Sequence, residues 1–153
     1  MKTITMTLAA AMGLAGCIPT VRLTVETHDP QGSVIERADV TNSDTTGRTF
    51  TANSGGSVVL TATASYTDGL DAMDIEGGFS CNKIAGGVGT TQQGTISSPD
   101  PNLPGSHPTT SSLTVQSPIQ CVGGTYQSTV MACATASKGG GRSCTQSATL
   151  KSN

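Results

Sequence analysis

The sequence has little charge and few aromatic residues. Lys, Arg, Asp and Glu make up 12% of the 153 residues, about half of the roughly 25% found in an average domain. Aromatic residues make up 3%, and tryptophan is absent. A net charge of −2 without a basic block argues against a nucleic-acid partner. The shortage of aromatic residues predicts a modest core of Val, Leu, Ile and Ala, which calls for covalent cross-links.

Recognisable motifs of catalysis and of metal binding are missing as well. No G-x-S-x-G elbow occurs, and no two cysteines have the close spacing typical of zinc sites. The two histidines, His28 and His107, lie in turn-like and loop-like sequence and are interpreted as solvent-exposed. We therefore expect no enzyme, no cofactor and no catalytic metal.

One cluster of carboxylates makes a calcium site one possible interpretation. Asp68, Asp71, Asp74 and Glu76 lie close together in the sequence, and Ca²⁺ prefers several oxygen ligands. Their spacing does not match an EF-hand loop. Ordinary solvent-facing carboxylates are therefore the expected alternative.

A short apolar run at the N-terminus is the most informative segment of the chain. It follows Lys2, covers Ile4 to Leu14 and ends in Leu-Ala-Gly-Cys, with the cysteine at position 17. A charged start, an apolar region of roughly 7–15 residues and small residues before a cleavage point are typical of a signal peptide. The run is shorter than the about 20 residues of a membrane span. Its end resembles the lipobox of bacterial lipoproteins.

That resemblance implies export and lipid attachment. Residues 1–16 would be removed as a lipoprotein signal peptide, and Cys17 would carry a diacylglycerol group and an N-terminal acyl chain, which together hold a protein stably in a bilayer. Residues 17–20 would form the anchor and a short tether. Ile18 replaces the aspartate that in Gram-negative relatives retains a lipoprotein at the inner membrane. The expected location is thus the cell envelope, at the outer membrane, facing either the periplasm or the surface.

The four remaining cysteines predict disulfides, because an even number of cysteines in an exported chain is read in this way. Cys81, Cys121, Cys133 and Cys144 allow three pairings. Cys133 and Cys144 lie almost equally far from the Lys138–Arg142 turn, so an antiparallel hairpin would place them opposite each other. This favours Cys133–Cys144 together with Cys81–Cys121.

Alternation of apolar and polar residues predicts an all-β domain over residues 21–153. Residues 85–112 contain few apolar side chains and are predicted to be a long loop rich in Gly, Ser and Pro, or two loops around a short strand. The predicted strands are Val21–Glu26, Ser33–Val40, Arg48–Ala52, Ser57–Tyr66, Met73–Cys81, Leu113–Val115, Tyr126–Ala134 and Cys144–Leu150.

Two segments resemble bacterial immunoglobulin-like domains. The first, SGGSVVLTATASYTDGLDAMDI, has a Gly-Gly-Ser-Val entry, a Thr/Ala-alternating strand and an Asp-Gly turn. The second, TYQSTVMACATASKGGGRSCTQSATL, looks like the last two strands of such a domain, with Tyr126 in the place of a corner tyrosine. The resemblance implies an antiparallel β-sandwich. The chain departs from antibody domains because it lacks their tryptophan and their inter-sheet disulfide.

These observations predict a non-enzymatic binding or structural module of the cell envelope. The membrane would be contacted through the lipid anchor, and a protein or glycan partner would be bound at the loops. The alternative is an envelope enzyme, or an inhibitor of hydrolases, whose site is assembled from loops. A fold resemblance does not decide between these functions.

Overall fold

A computed structural model describes residues 18–85 and 88–152 of the chain. These residues form ten β-strands and no helix, so the predicted all-β class is confirmed. The strands are β1 (Thr20–His28), β2 (Val34–Thr41), β3 (Arg48–Thr51), β4 (Ser57–Ser65), β5 (Leu70–Ala85), β6 (Val88–Pro99), β7 (Thr110–Pro118), β8 (Gly124–Ala136), β9 (Arg142–Cys144) and β10 (Ala148–Lys151).

The strands form two sheets that face each other as a β-sandwich. The first sheet has the order β2-β1-β4-β7, and all of its neighbours are antiparallel. The second has the order β3-β10-β8-β5-β6, with β9 also paired to β8. All pairs of the second sheet are antiparallel except β3 and β10, which are parallel. The edges of the two sheets are therefore β2, β7, β3 and β6.

The core lies between the sheets and follows from the alternation along each strand. Successive side chains of a strand point to opposite faces, so every second residue of β1, β4 and β8 is buried. A shift of register by one residue would expose each of these sets to solvent. The largest buried side chains include Val21, Leu23, Val25, Phe50, Leu60, Met73, Ile75 and Leu150.

The prediction of one long loop over residues 85–112 is wrong for most of that range: a strand lies within it, as in the alternative, but this strand has twelve residues and is not short. β5 extends to Ala85, and every residue of β6 is paired with a residue of β5. β6 has one neighbouring strand, and most of its described side chains are exposed. Main-chain hydrogen bonds therefore hold β6 in place. Such bonds do not depend on apolar side chains, so a low content of apolar residues does not exclude a strand here. The connection to β7, residues 100–109, is the loop that remains.

The predicted strand Cys144–Leu150 is divided into β9 and β10, which lie along the same edge of β8. Thr145 lies at the interruption. Its N–H donates to the carbonyl of Ala132 at 2.9 Å, and its Oγ1 accepts the N–H of Ala132 at 3.2 Å. Because a side-chain oxygen takes the place of a main-chain carbonyl here, the ladder is interrupted without leaving a buried donor unpaired.

The 100–109 loop is fixed to both sheets through Asp100, a buried residue. Its N–H donates to the carbonyl of Met73 at 2.8 Å, and its carboxylate accepts the N–H of Asn102 at 2.9 Å and the hydroxyl of Ser111. Burial alone would raise the pKa of this carboxyl, but the hydrogen bonds from Ser111 and Asn102 outweigh burial and lower the pKa. Asp100 therefore contributes most to stability when it is ionised.

Candidate functional site

Both disulfides are present with the expected pairing. Cys81 of β5 is bonded to Cys121 in the β7–β8 connection, across a sequence separation of 40 residues. Cys133 of β8 is bonded to Cys144 of β9, and the two residues are directly opposite each other in the ladder. The hairpin reasoning for Cys133 and Cys144 is thus confirmed. The first bond ties the second sheet to the segment that leaves the end of β7.

The proposed lipid site, Cys17, lies outside the described residues, as do the predicted signal peptide 1–16 and its cleavage point. Lipid attachment therefore stays a prediction. The neighbouring part of the chain is described: Ile18 is exposed, and β1 begins at Thr20. In the sequence, Cys17 precedes the first strand by three residues.

The acidic cluster is not gathered into one site. Asp71 contacts His107, while Asp74 and Glu76 both contact the guanidinium of Arg142, at 3.4 and 3.0 Å. Burial raises the pKa of the Asp74 carboxyl, the positive charge of Arg142 lowers it, and Glu76 raises it; the net shift is upward. Asp71 therefore lies beside His107, whereas Asp74 and Glu76 share Arg142, and the three carboxylates do not converge on a common centre.

A single group within the described ranges places three potential metal-ligating atoms close together. It consists of Glu76 and the bonded pair Cys133 and Cys144. The sulfur of Cys133 lies 3.3 Å from Oε1 of Glu76. Both cysteines are in a disulfide, whereas thiolates are the form that binds metal. The oxidised protein therefore offers no thiolate ligand here.

His107 is exposed, as expected, but it is ordered by a carboxylate. Its Nδ1 lies 2.7 Å from Oδ1 of Asp71, and its backbone has a φ of 45°. An imidazole oriented by a carboxylate supplies two of the three members of a catalytic triad. Within the described part of the chain, no hydroxyl or thiol is hydrogen-bonded to the His107 ring, and the neighbouring Ser106 hydroxyl donates to main-chain carbonyls of the loop.

The prediction that His28 is solvent-exposed is wrong, because His28 is the last residue of β1 and its side chain is 16% exposed. Its Nδ1 lies 3.1 Å from the carbonyl oxygen of Gly32. Its Nε2 lies 2.9 Å from Oε1 of Glu26, without hydrogen-bond alignment. His28 therefore supports the β1–β2 turn rather than a site.

The best candidate for a ligand site is a cleft between the two sheets, where the β5–β6 hairpin extends beyond the end of β7. Its volume is about 510 Å³, which lies in the range of small-molecule sites. Two aromatic rings and three glutamines contribute to its lining, and none of the described lining residues is charged. The lining residues are Phe79, Gln92, Gln93, Ser117, Pro118, Gln120 and Tyr126.

The aromatic rings form a fixed surface in this cleft. Phe79 and Tyr126 are stacked, with ring centroids 6.4 Å apart and an angle of 19° between the planes. Phe79 is half-buried and lies over Gly94 of β6, where a Cβ atom would collide with the ring. Tyr126 is buried, and burial raises the pKa of its hydroxyl, although a hydrogen bond with Ser128 acts in the opposite direction. Tyr126 therefore stays neutral at physiological pH.

A second depression, of about 520 Å³, lies on the outer face of the second sheet, opposite the face that lines the cleft. It is present because Gly78 leaves β5 without a side chain on this face, and hydroxyl and amide groups of β5, β6 and β8 surround it. Phe79 borders both depressions. We favour the cleft as a site because it has two aromatic rings, whereas the second depression has glycine at its base.

The sequence did not indicate the cleft. Its parts come from β5, β6, β7 and β8, and the glutamines of β6 lie in the range that was predicted to be a loop. One signal was available: Phe79 and Tyr126 are two of the four aromatic residues in the chain. Of this pair, Phe79 is half-buried and Tyr126 is buried.

Comparisons with known proteins gave no relative: no family model, no curated protein and no solved structure matches the chain. Among the residues that the structure describes, no helix has the length and the apolar character needed to cross a membrane. The functional proposals therefore depend on the residues of this chain alone.

Proposed function

We propose that the protein is a lipid-anchored, non-enzymatic binding module of the cell envelope, held by Cys17 and binding a neutral oligosaccharide in the cleft beside Phe79. The observation that carries the binding proposal is the cleft itself, an uncharged hollow with an aromatic base and an amide rim. The lipobox-like sequence before Cys17 and the two disulfides support an exported protein.

The chemistry of the lining favours a sugar over other small ligands. A phosphate or an acidic ligand needs cationic groups, and the described lining residues supply none. A pyranose ring has an apolar C–H face that packs on an aromatic ring, and its hydroxyls can both donate to and accept from amides. Phe79 provides the ring, and Gln92 and Gln120 provide exposed amides at the rim.

We further propose that the sandwich is of the immunoglobulin-like class. The parallel pairing of β3 with the last strand, β10, supports this proposal, as does the order β10-β8-β5-β6 in the same sheet. The position of Tyr126 near the start of β8 is consistent with a corner tyrosine. The disulfides differ from the antibody pattern because neither of them joins the two central strands β4 and β8.

The proposal is tested by measuring how the mature protein binds a panel of uncharged oligosaccharides by calorimetry, with charged saccharides in parallel. Gln120→Ala should weaken binding about five-fold, because one hydrogen bond contributes roughly 1 kcal/mol. Gln116→Ala is the matched control, since Gln116 is an exposed glutamine of β7 outside the cleft. Phe79→Leu keeps an apolar side chain but removes the ring, and should also weaken binding.

Two results would contradict the oligosaccharide assignment. One is the absence of binding to every uncharged saccharide. The other is equal loss in Gln120→Ala and Gln116→Ala, which would place the ligand elsewhere. The anchor is tested separately: Cys17→Ser should move the protein from the membrane fraction to a soluble fraction, and unchanged sedimentation with membranes would reject lipid attachment.

One observation favours the alternative of an envelope hydrolase. The Asp71–His107 pair has the orientation of a base and its supporting carboxylate, and it lies where the 100–109 loop meets the start of β5. If the pair is catalytic, the purified protein should hydrolyse an envelope substrate, and His107→Ala should abolish the activity. Activity retained in His107→Ala would exclude the pair as its source.

A further inference from the structure

The four sheet edges of this sandwich differ in how they are protected. Exposed edge strands present unpaired N–H and C=O groups to other chains, and proteins protect them with charges, short strands, proline or bulges. β2 contains Glu36, Arg37 and Asp39, and its register with β1 is interrupted at His28. β3 has only four residues and begins with Arg48. These two edges therefore carry the usual protection.

The edge strand β6 has almost none of these protective features. It runs for twelve residues, VGTTQQGTISSP, without a charged residue, and its one proline is the last residue. Its pairing with β5 is continuous from Val88 to Pro99, with no bulge. Within the described residues β6 pairs with β5 alone, so its other edge is free. Thr91, Gln93, Thr95 and Ser97 are exposed on the outer face of this strand.

β7 is also uncharged, but its free edge is less accessible. β7 ends at Pro118, and the cleft lies between its last residues and Gln92 and Gln93 of β6. A strand paired with the last residues of β7 would have to enter this cleft. The outer edge of β6 is on the far side of the hairpin, where no described strand competes for it.

We propose that β6 is a self-association edge: two copies of the chain pair antiparallel along Val88–Pro99 about a two-fold axis and join their second sheets into one. In such an isologous antiparallel contact, residue i of one copy faces residue j of the other and the reverse, so the residues near the axis lie beside their own symmetry mates. Charged residues near the axis would repel their mates, and β6 has none. A foreign peptide would impose no such restriction, so the absence of charge favours a second copy. The half-buried Ile96 of each copy would gain a neighbouring strand.

The test is the oligomeric state of the mature protein, purified in detergent and measured as detergent-corrected mass over a range of concentrations. The native protein should dimerise. Thr91→Lys/Thr95→Lys places four like charges along the paired edge and should weaken dimerisation about ten-fold or more, because like charges facing each other across strands are destabilising. Thr63→Lys/Ser65→Lys is the matched control on the exposed face of β4, a central strand, and should leave the dimer intact.

A second variant distinguishes a weakened interface from a misfolded protein. Thr91→Glu/Thr95→Glu should also be monomeric, and mixing it with the lysine variant should restore a dimer that contains one copy of each. Restoration shows that both variants are folded and that opposite charges meet across the edge. A monomeric native protein, a dimer that persists in the lysine variant, equal loss in the β4 control, or no mixed dimer would each overturn the proposal.

Discussion

The two disulfides should contribute unequally to stability, and the difference follows from the lengths of the loops that they close. In the chain-entropy model, a cross-link destabilises the unfolded state in proportion to the logarithm of loop length. The Cys81–Cys121 bond spans a sequence separation of 40, which corresponds to about 4 kcal/mol. The Cys133–Cys144 bond spans 11, which corresponds to about 3 kcal/mol.

The two loops do not overlap in the sequence, so the two contributions should add. Burial increases the contrast. Cys81 and Cys121 are both fully buried, whereas Cys144 is partly exposed, and a replaced buried side chain also leaves a cavity. Cys81→Ala/Cys121→Ala should therefore cost at least 1 kcal/mol more than Cys133→Ala/Cys144→Ala, as an order-of-magnitude expectation.

The assay is urea unfolding of the oxidised protein and of both double variants, followed by circular dichroism. The free energies of unfolding are compared at equal slopes, because a changed slope indicates a changed unfolded state. A protein that lacks Cys133–Cys144 and is less stable than one that lacks Cys81–Cys121 would refute the loop-length reasoning. A control with all four cysteines replaced should lose about 7 kcal/mol, the combined value, and is expected not to fold.

Three further predictions concern other parts of the sandwich. Gly77→Ala should destabilise the protein by about 1–3 kcal/mol, because the new Cβ would collide with the main chain of β8, whereas Gly78→Ala has room and should be tolerated. Asp100→Ala should lower stability at pH 7, where the ionised carboxylate accepts its hydrogen bonds. Since the folded-state pKa is lowered, this loss should shrink as the pH falls through that pKa. Under native conditions a small thiol should reduce the disulfide of the partly exposed Cys144 first, which alkylation and mass spectrometry would detect.

Each of these predictions has a result that would count against it. Equal melting temperatures for the two glycine variants would mean that the approach of β5 to β8 is less close than described. If the free energy of unfolding of the native protein exceeded that of Asp100→Ala by the same amount from pH 7 to pH 2, the ionised carboxylate would not be what stabilises the loop. Simultaneous reduction of both disulfides would indicate that the fold opens as a whole before the thiol attacks.

The central strands could be predicted from the sequence because their two faces have different environments. β1 and β4 bury every second residue, and this alternation is visible in Val21, Leu23 and Val25. The Cys133–Cys144 pairing was predictable for a related reason: a hairpin turn fixes which residues are opposite. In both cases a local pattern is sufficient.

β6 and the cleft could not be predicted in this way. β6 is exposed over most of its described length and is held by main-chain hydrogen bonds to β5, which any residue except proline can donate. The cleft depends on how far the β5–β6 hairpin extends past β7, and it joins Phe79 to Gln120 and Tyr126. Such a distance is set by the packing of two sheets and has no local signature.

The identity of the N-terminus tests the account most directly. Mass spectrometry of the protein isolated from its native membranes should find a chain that begins at Cys17, carries two or more acyl chains, and contains both disulfides. A chain that begins at Met1 or retains residues 1–16, with an unmodified Cys17 and reduced Cys81, Cys121, Cys133 and Cys144, would contradict a lipid-anchored protein of the cell envelope.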